Sequence, residues 1–349
     1  MGVQGINCVV TGGTGFVGQR LVEMLVERGA AHVVSFDVRP KPEDALESKK
    51  ITYVQGDISK ASDVNDAVKA AGTTIHCVWH IAALVGPYHQ KDAYMAVNYK
   101  GTLNVIQACR QFKVGRLVMS SSPSTRFDGN DIEGLGVEDL KIPDKFVQIY
   151  AETKAMGEKA CRDACCDTLM TVAIAPHQVY GPRDSLFLNN LLHPIGNGKL
   201  RIFGSGKNMV SFCHVDNYCH GLILGYDALH KGSPALGRFY IVTDGPPQQF
   251  WKVIDQAGVA MGFRSLWTKF HLPIMLLMVL AHICDFLGML LNRKFKLTPF
   301  SVKMLTIHRY FDIEAAKKDL KYEPLIEFDK GWLETIDWFK QNWLPKQKF

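Results

Sequence analysis

The chain reads as an α/β protein, a doubly wound parallel sheet followed by a smaller C-terminal part. Three observations predict this. Short apolar runs alternate with amphipathic stretches through the first half of the sequence, the pattern of a parallel sheet covered on both faces. A glycine cluster stands between the first apolar run and the first helical stretch. Beyond Gly181-Pro182-Arg183 the alternation breaks, which puts the division near Asp184 and separates residues 1–184 from residues 185–349.

The elements follow in order. Residues 6–10 make the first strand, and residues 19–28 carry Leu21, Val22, Leu25 and Val26 at helical spacing. Further strands fall at 33–36, 52–55 and 77–80. A helix covers 98–110, the fifth strand 117–120, a second long helix 151–164 and the sixth strand 171–175.

Composition narrows the function classes. With 47% hydrophobic and 21% charged residues over 349 positions, the chain is no disordered polymer. Its 40 Lys and Arg against 34 Asp and Glu give a net charge of +6, scattered along the sequence rather than striped, so nucleic acid is not an expected partner. The nine cysteines include the close group Cys161, Cys165 and Cys166, without a His or a second Cys pair at zinc spacing; no metal site is expected and reduced, cytosol-facing thiols are. The first residues show no signal-peptide pattern.

The strongest motif is Thr11-Gly12-Gly13-Thr14-Gly15-Phe16-Val17-Gly18, after a strand and before a helix. Glycines there permit a tight turn, close backbone approach to a pyrophosphate, and close helix–strand packing. The phosphates then lie on the N–H groups at the positive end of the helix. This is the fingerprint of a Rossmann-type dinucleotide site. Asp37 closes the second strand, where a carboxylate accepts the ribose hydroxyls and repels a 2′-phosphate. NAD is therefore expected over NADP, with Arg39 keeping NADP open. Asp57, followed by Ile58, has two readings, an adenine contact or a helix N-cap. Ala82 and Ala83 follow the fourth strand, where small side chains leave room for the cofactor.

Tyr150 and Lys154 stand at i and i+4, on one helix face. A phenol titrates near pH ~10, and a nearby ammonium lowers that value, which suits a general base. The fifth strand ends in Ser120-Ser121-Ser122, whose hydroxyls can hold a substrate oxygen; Ser122 is the first choice and Ser121 stays open.

Together these motifs, with Asn98-x-x-Gly-Thr, make the chain resemble the extended short-chain dehydrogenases/reductases. Over nearly its whole length it resembles their 3β-hydroxysteroid dehydrogenase branch, through Phe127-Asp128-Gly129, Tyr150-Ala-Glu-Thr-Lys154, Pro176-His177-Gln-Val-Tyr-Gly-Pro-Arg-Asp184, Gly204-x-Gly-Lys-Asn208, Phe212-x-His-Val-Asp216 and Tyr310-Phe-Asp-Ile-Glu-Ala-Ala-Lys-Lys318. The resemblance implies catalytic roles for Ser122, Tyr150 and Lys154. It implies cofactor contacts from Gly12, Gly15, Phe16, Val17, Gly18, Asp37, Asp57, Ile58, Ala82, Ala83, Tyr150, Lys154, Pro176 and Val179. Within the branch it is most similar to members that oxidise the 3β-hydroxyl of 4α-carboxysterols with loss of carbon dioxide. The runner-up is 3β-hydroxy-Δ5-steroid dehydrogenase/isomerase activity, and a non-catalytic cofactor sensor is the alternative of another class. A homodimer and a place on the cytosolic face of the endoplasmic reticulum or on lipid droplets are also implied.

Two departures stand out. Ala175 occupies the position of a usual arginine, and Thr125 and Arg126 stand where relatives are aliphatic. Arg126 is expected on the surface, or else as a cation facing substrate. Arg126, Arg183 and His177 are the candidates to hold a substrate carboxylate. Finally, residues 272–291 are almost unbroken apolar sequence flanked by Lys269, Arg293, Lys294 and Lys296. That is long enough to span a bilayer, but Pro273, His282 and Asp285 oppose spanning. A helix lying in a membrane surface satisfies both facts, and a buried lid over the substrate pocket or a dimer contact is the bland alternative.

Overall fold

The computed structural model describes every residue except Met1, Pro87, Tyr88, Asn292, Lys294 and Lys296; the expected basic flank at Lys294 and Lys296 lies outside the described residues. Seven strands form one sheet: β1 (Asn7–Thr11), β2 (His32–Asp37), β3 (Ile51–Gln55), β4 (Cys77–His80), β5 (Arg116–Ser120), β6 (Met170–Pro176) and β7 (Phe239–Val242). Their order is β7-β6-β5-β4-β1-β2-β3 and every pairing is parallel. The order reverses between β1 and β4. At such a switch point the connections leave in opposite directions and open a crevice beyond the strand ends.

Apart from the half-exposed edge strand β3, the strands are buried on both faces, as their apolar runs require. On one face α1 (Phe16–Glu27) and α5 (Val215–Asp227) supply Leu21, Val22, Leu25, Tyr218 and Leu222 to the core. On the other, α2 (Ala61–Lys69), α3 (Gly101–Gln111) and α4 (Ile149–Asp163) contribute Val64, Ala67, Val105, Ile106 and Cys161. A π-helical turn, Met95–Lys100, leads into α3. A third core, built on Tyr180, Phe212, Trp251, Trp332 and Phe339, holds the C-terminal part together.

The chain crosses the expected division near Asp184 and then returns. α5 and β7 both come from beyond it, and β7 pairs with β6. The seventh strand is four residues long, Phe239–Val242, and sits between glycine- and proline-rich stretches that hid it in the sequence.

The apolar segment forms α6 (Ile274–Leu291), the one helix among the described residues long and apolar enough to cross a membrane. It is not a buried lid. Leu277 and Ala281 are its buried residues, packed with Val302, Phe203 and Leu272. Met275, Val279, Phe286 and Met289 are between 58% and 84% exposed. The helix is tied to the fold where the Leu272 N–H donates to the Ile202 carbonyl and the Gly204 N–H to that of Leu272, at 2.9 and 2.8 Å. Ile274 fills the space beside Gly204, where a Cβ would stand 2.7 Å from its Cδ1.

Candidate active site

At Gly12, Gly13 and Gly18 the loop that joins β1 to α1 has no room for a side chain. A Cβ on Gly18 would lie 1.9 Å from the Gly12 carbonyl oxygen, and one on Gly12 would lie 2.7 Å from the Ala82 nitrogen. Gly12 also has φ +71°, where a Cβ is strained. Gly15 is the N-cap of α1 and provides no side chain to occupy the helix's first N–H groups. Phe16 and Val17 open the helix. Thr14 Oγ1 is buried without a hydrogen-bond partner among the described residues. A bare helix start with an orphaned hydroxyl beside it fits an anionic diphosphate.

Asp37 ends β2 and is buried. The Thr14 N–H donates to its Oδ2 at 3.1 Å, and the Arg39 N–H to its Oδ1 at 3.0 Å. The carboxylate is thereby held against the loop with lone pairs left for ribose hydroxyls. Arg39 approaches the same carboxylate at 4.0 Å but is mostly exposed. Asp57 is not a helix N-cap: α2 is capped at Lys60, and Asp57 Oδ1 instead accepts the Ser59 N–H at 2.8 Å. Ile58 lies buried under Gly101, where an added Cβ would meet it at 3.0 Å.

A chain of hydrogen bonds that sequence reasoning missed runs beneath the loop. The Ala82 N–H donates to Thr11 Oγ1 at 3.2 Å, and Thr11 Oγ1 meets His80 Nδ1 at 2.9 Å. His80 Nε2 meets Thr102 Oγ1 at 2.9 Å, whose proton goes to the Asn98 carbonyl at 2.8 Å. Thr102 must therefore accept, so the ring carries its proton on Nε2 and receives the Thr11 hydroxyl at Nδ1. Burial, with Lys154 nearby, lowers the His80 pKa to about 3, so the ring stays neutral. Asn98 clamps the next stretch, accepting the Leu84 N–H at 2.8 Å and donating to the Leu84 carbonyl at 3.1 Å. Ala82 and Ala83 are thus fixed between β1 and the π-helical turn that leads into α3.

The serine tip of β5 faces α4. Ser121 is buried and donates to Glu158 Oε2 at 2.6 Å, which commits its proton to that carboxylate. Ser122 caps a 3-10 turn, Pro123–Arg126, by accepting the Ser124 N–H at 3.3 Å; its Oγ lies 2.8 Å from Ser124 Oγ. Burial raises the Tyr150 pKa, and the facing Ser122 and Ser124 hydroxyls oppose that rise. Burial lowers the Lys154 pKa to about 8, with Glu158 and Cys161 resisting. Lys154 thus stays mainly protonated at neutral pH. Ser122, Tyr150 and Lys154 are brought together. Pro176 ends β6, and Val179 lies in a two-residue strand pairing with Cys213.

The three expected cations do otherwise. Arg126 is neither on the surface nor free: its Nη1 and Nη2 donate to Glu158 Oε2 and Oε1, both at 2.6 Å, with 4% and 0% of the two side chains exposed. Arg183 donates to both carboxylate oxygens of Glu23 at 2.8 and 3.1 Å and lies near Asp44. His177 is buried, and burial followed by Arg309 lowers its pKa to about 3.

That last neighbour is a residue the sequence did not single out. The His177 Nδ1–H donates to the Ser211 carbonyl at 2.8 Å, and Arg309 Nη1 reaches His177 Nε2 at 3.3 Å. Arg309 Nη2 donates to the Met304 carbonyl at 2.9 Å, while Nε is enclosed and unpartnered. Arg309 makes no ion pair among the described residues, and burial alone lowers its pKa to about 10. It is a charged group held beside the end of β6 with no anion to answer it. Its position directly before the Tyr310 motif was the one available signal; nothing in a sequence says which arginine lacks a carboxylate.

The model of the 3-beta hydroxysteroid dehydrogenase/isomerase family matches residues 9–270. The chain is 33% identical over 344 residues to sterol-4-alpha-carboxylate 3-dehydrogenase, decarboxylating, of Homo sapiens, covering 97% of this chain and 89% of that protein. It is 32% identical to a 2-alkyl-3-oxoalkanoate reductase of Stenotrophomonas maltophilia, covering 93% and 97%. Among solved structures, the epimerase Mth375 of Methanothermobacter thermautotrophicus superposes with a TM-score of 0.75 at 22% identity, covering 99% and 96%. The DesIV dTDP-glucose 4,6-dehydratase of Streptomyces venezuelae, solved as a double mutant with NAD bound, gives 0.74 at 19%, covering 97% and 98%. Those two likenesses establish the Rossmann-type fold. With the family model spanning the glycine loop, the serine tip and the Tyr150–Lys154 helix, the chain belongs to the 3-beta hydroxysteroid dehydrogenase/isomerase family.

Proposed function

We propose that the protein is an NAD-dependent dehydrogenase that oxidises the 3β-hydroxyl of a 4α-carboxysterol to the 3-ketone, after which the β-keto acid loses carbon dioxide. The observation that carries this reading is the meeting of Tyr150, Lys154 and Ser122 at the carboxyl end of the sheet, where the glycine loop opens. NAD, when bound on Gly12, Gly15, Gly18 and Asp37, supplies the hydride acceptor. Tyr150 takes the hydroxyl proton as the C3 hydride departs, and Ser122 orients the oxygen. Lys154 stabilises the phenolate. Loss of carbon dioxide sends its bonding electrons into the adjacent ketone and needs no further residue. The Asp37 carboxylate favours NAD over NADP.

The relatives' names sharpen the substrate. A sterol 4α-carboxylate and a 2-alkyl-3-oxoalkanoate both place an oxygen on the carbon beta to a carboxylate. Arg309, a buried cation without an acidic partner, is suited to that carboxylate. In this reading the sheet holds the cofactor, and residues 185–349, apart from the 215–242 stretch that rejoins it, form the substrate side. The exposed apolar helix α6 supports association with a membrane surface, where a sterol resides.

The test offers NAD with a 4α-carboxysterol, a plain 3β-hydroxysterol, a Δ5-3β-hydroxysteroid and a 2-alkyl-3-hydroxyalkanoate, following cofactor absorbance and carbon dioxide release. Reduction matched by carbon dioxide from the carboxysterol is the expected result. Preference for the Δ5-steroid or for the acyclic acid would move the assignment to that substrate. Undiminished turnover in Tyr150→Phe would remove the dehydrogenase mechanism.

A further inference from the structure

Glu158 lies four residues beyond Lys154 and eight beyond Tyr150, so all three share one side of α4. Its carboxylate is fully enclosed, yet it accepts three short hydrogen bonds. Nη1 and Nη2 of Arg126 reach it at 2.6 Å and Ser121 Oγ at 2.6 Å, with Thr125 Oγ1 3.2 Å away. Arg162, one turn further along α4, adds a longer contact at 3.5 Å. On its other side the Arg126 guanidinium stacks on the Phe239 ring, 3.4 Å from the centroid, at the start of β7.

Every donor from outside α4 belongs to a single short segment. Ser121, Ser122, Thr125 and Arg126 run from the end of β5 through the 3-10 turn that Ser122 caps. The Thr125 hydroxyl also contacts the Ser122 carbonyl at 2.8 Å. The segment is therefore pinned to α4 on both sides of Ser122, by Ser121 before it and Arg126 after it. A buried ion pair is weak evidence of stability, because desolvation opposes its attraction. A pair that binds two elements of one active site has another use.

We propose that Arg126 and Glu158 are positioning residues: their pair locks the Ser122 segment onto the Tyr150–Lys154 helix and cancels the carboxylate's charge beside the Lys154 ammonium. The inference rests on the reading of Ser122, Tyr150 and Lys154 as the catalytic group. Lys154 is faced by Glu158 and Cys161 on its own helix and by His80 at the end of β4. Tyr150 is faced by Ser122, Ser124 and Tyr94. Of these neighbours Glu158 is the one whose full charge is balanced by a distant part of the chain. Without Arg126, the bare carboxylate offsets the Lys154 charge, and the Tyr150 phenolate is harder to form.

The full-length enzyme is compared with Arg126→Met, Glu158→Gln, the double variant and Arg126→Lys, using NAD and the 4α-carboxysterol across pH. Arg126→Met is expected to lower kcat by roughly 10–100-fold, as small misplacement of a catalytic group does. It should also move the acid limb of kcat/KM upward by about one pH unit, with NAD binding unchanged. The double variant, neutral again, returns the limb to its original position, and Arg126→Lys recovers part of kcat. A role confined to packing predicts lower kcat and melting temperature with the limb unmoved and no recovery in the double variant; that outcome overturns the proposal. If Arg126→Met does not fold, Glu158→Gln decides: with the Arg126 charge left unbalanced the limb should move downward, and an unmoved limb overturns the proposal. Tyr150→Phe run alongside separates the two layers: its inactivity with an unmoved limb rejects the positioning role alone, and its full activity rejects the catalytic reading as well.

Discussion

A guanidinium stays charged when buried, so its surroundings decide what it does. Arg126 is answered by a carboxylate through two hydrogen bonds of 2.6 Å. Arg309 is answered by an imidazole nitrogen and a carbonyl, with Nε left over. The first is satisfied within the fold, and the second lacks an anion. Replacing Arg309 with Met should therefore raise KM for the carboxysterol about tenfold or more, since a hydrogen bond to a charged group contributes roughly 1.5–3 kcal/mol. KM for the plain 3β-hydroxysterol should stay the same. Equal losses on both substrates would show that Arg309 supports the wall and not the carboxylate. Ser121 makes the same point on a smaller scale: two adjacent serines look alike in the sequence, and Glu158 distinguishes them.

Among the elements, α6 departs furthest from ordinary soluble packing. A helix apolar on all sides is normally buried, yet this one covers little beyond Leu277 and Ala281. Its sequence neighbours hold it to the substrate side through Ile202, Leu272 and Gly204. Val279 and Phe286, each 58% exposed, are seven residues apart and share a face. The wild-type protein should co-float with phosphatidylcholine vesicles, and the Val279→Lys, Phe286→Lys double variant should not. Because both side chains are exposed, folding stability should change by less than about 0.5 kcal/mol per site. A wild-type protein that stays at the bottom of the gradient would rule out the membrane-surface reading.

For the whole molecule, buried histidines set the acid response. His80 and His177 are neutral in the fold, each with a pKa lowered to about 3 by burial. In the unfolded chain they titrate near ~6.5. Below that value the unfolded state takes up protons that the folded state refuses, so stability present above about pH 6.5 is lost as pH falls toward the folded values. At about pH 5 the loss is roughly 2 kcal/mol for each histidine. Asp244, pushed up to about 6 by burial, acts in the opposite sense between its unfolded and folded values, and offsets about 1 kcal/mol of this. The melting temperature should fall steadily from neutral pH to about pH 5. A flat or rising profile over that range would contradict the buried, neutral assignment.

The sequence by itself determined what depends on local geometry. Glycine spacing after β1, the acid at the end of β2, the i, i+4 placement of Tyr150 and Lys154 and the alternation of strands with helices all act within a few residues of chain, where backbone sterics leave few alternatives. Six of the seven sheet strands were legible for that reason, with ends shifted by a residue or so. What joins distant parts of the chain was not. β7 is too short and too far beyond the break at Gly181 to announce that it returns to β6. Ser121 and Arg126 find Glu158 more than thirty residues away, and Arg309 meets His177 across 132 positions. Whether a charge is answered, and whether an apolar helix is covered, depends on which surfaces meet. Only the tertiary structure decides that, because the energy of a buried charge or an exposed leucine belongs to its surroundings and not to its neighbours in sequence.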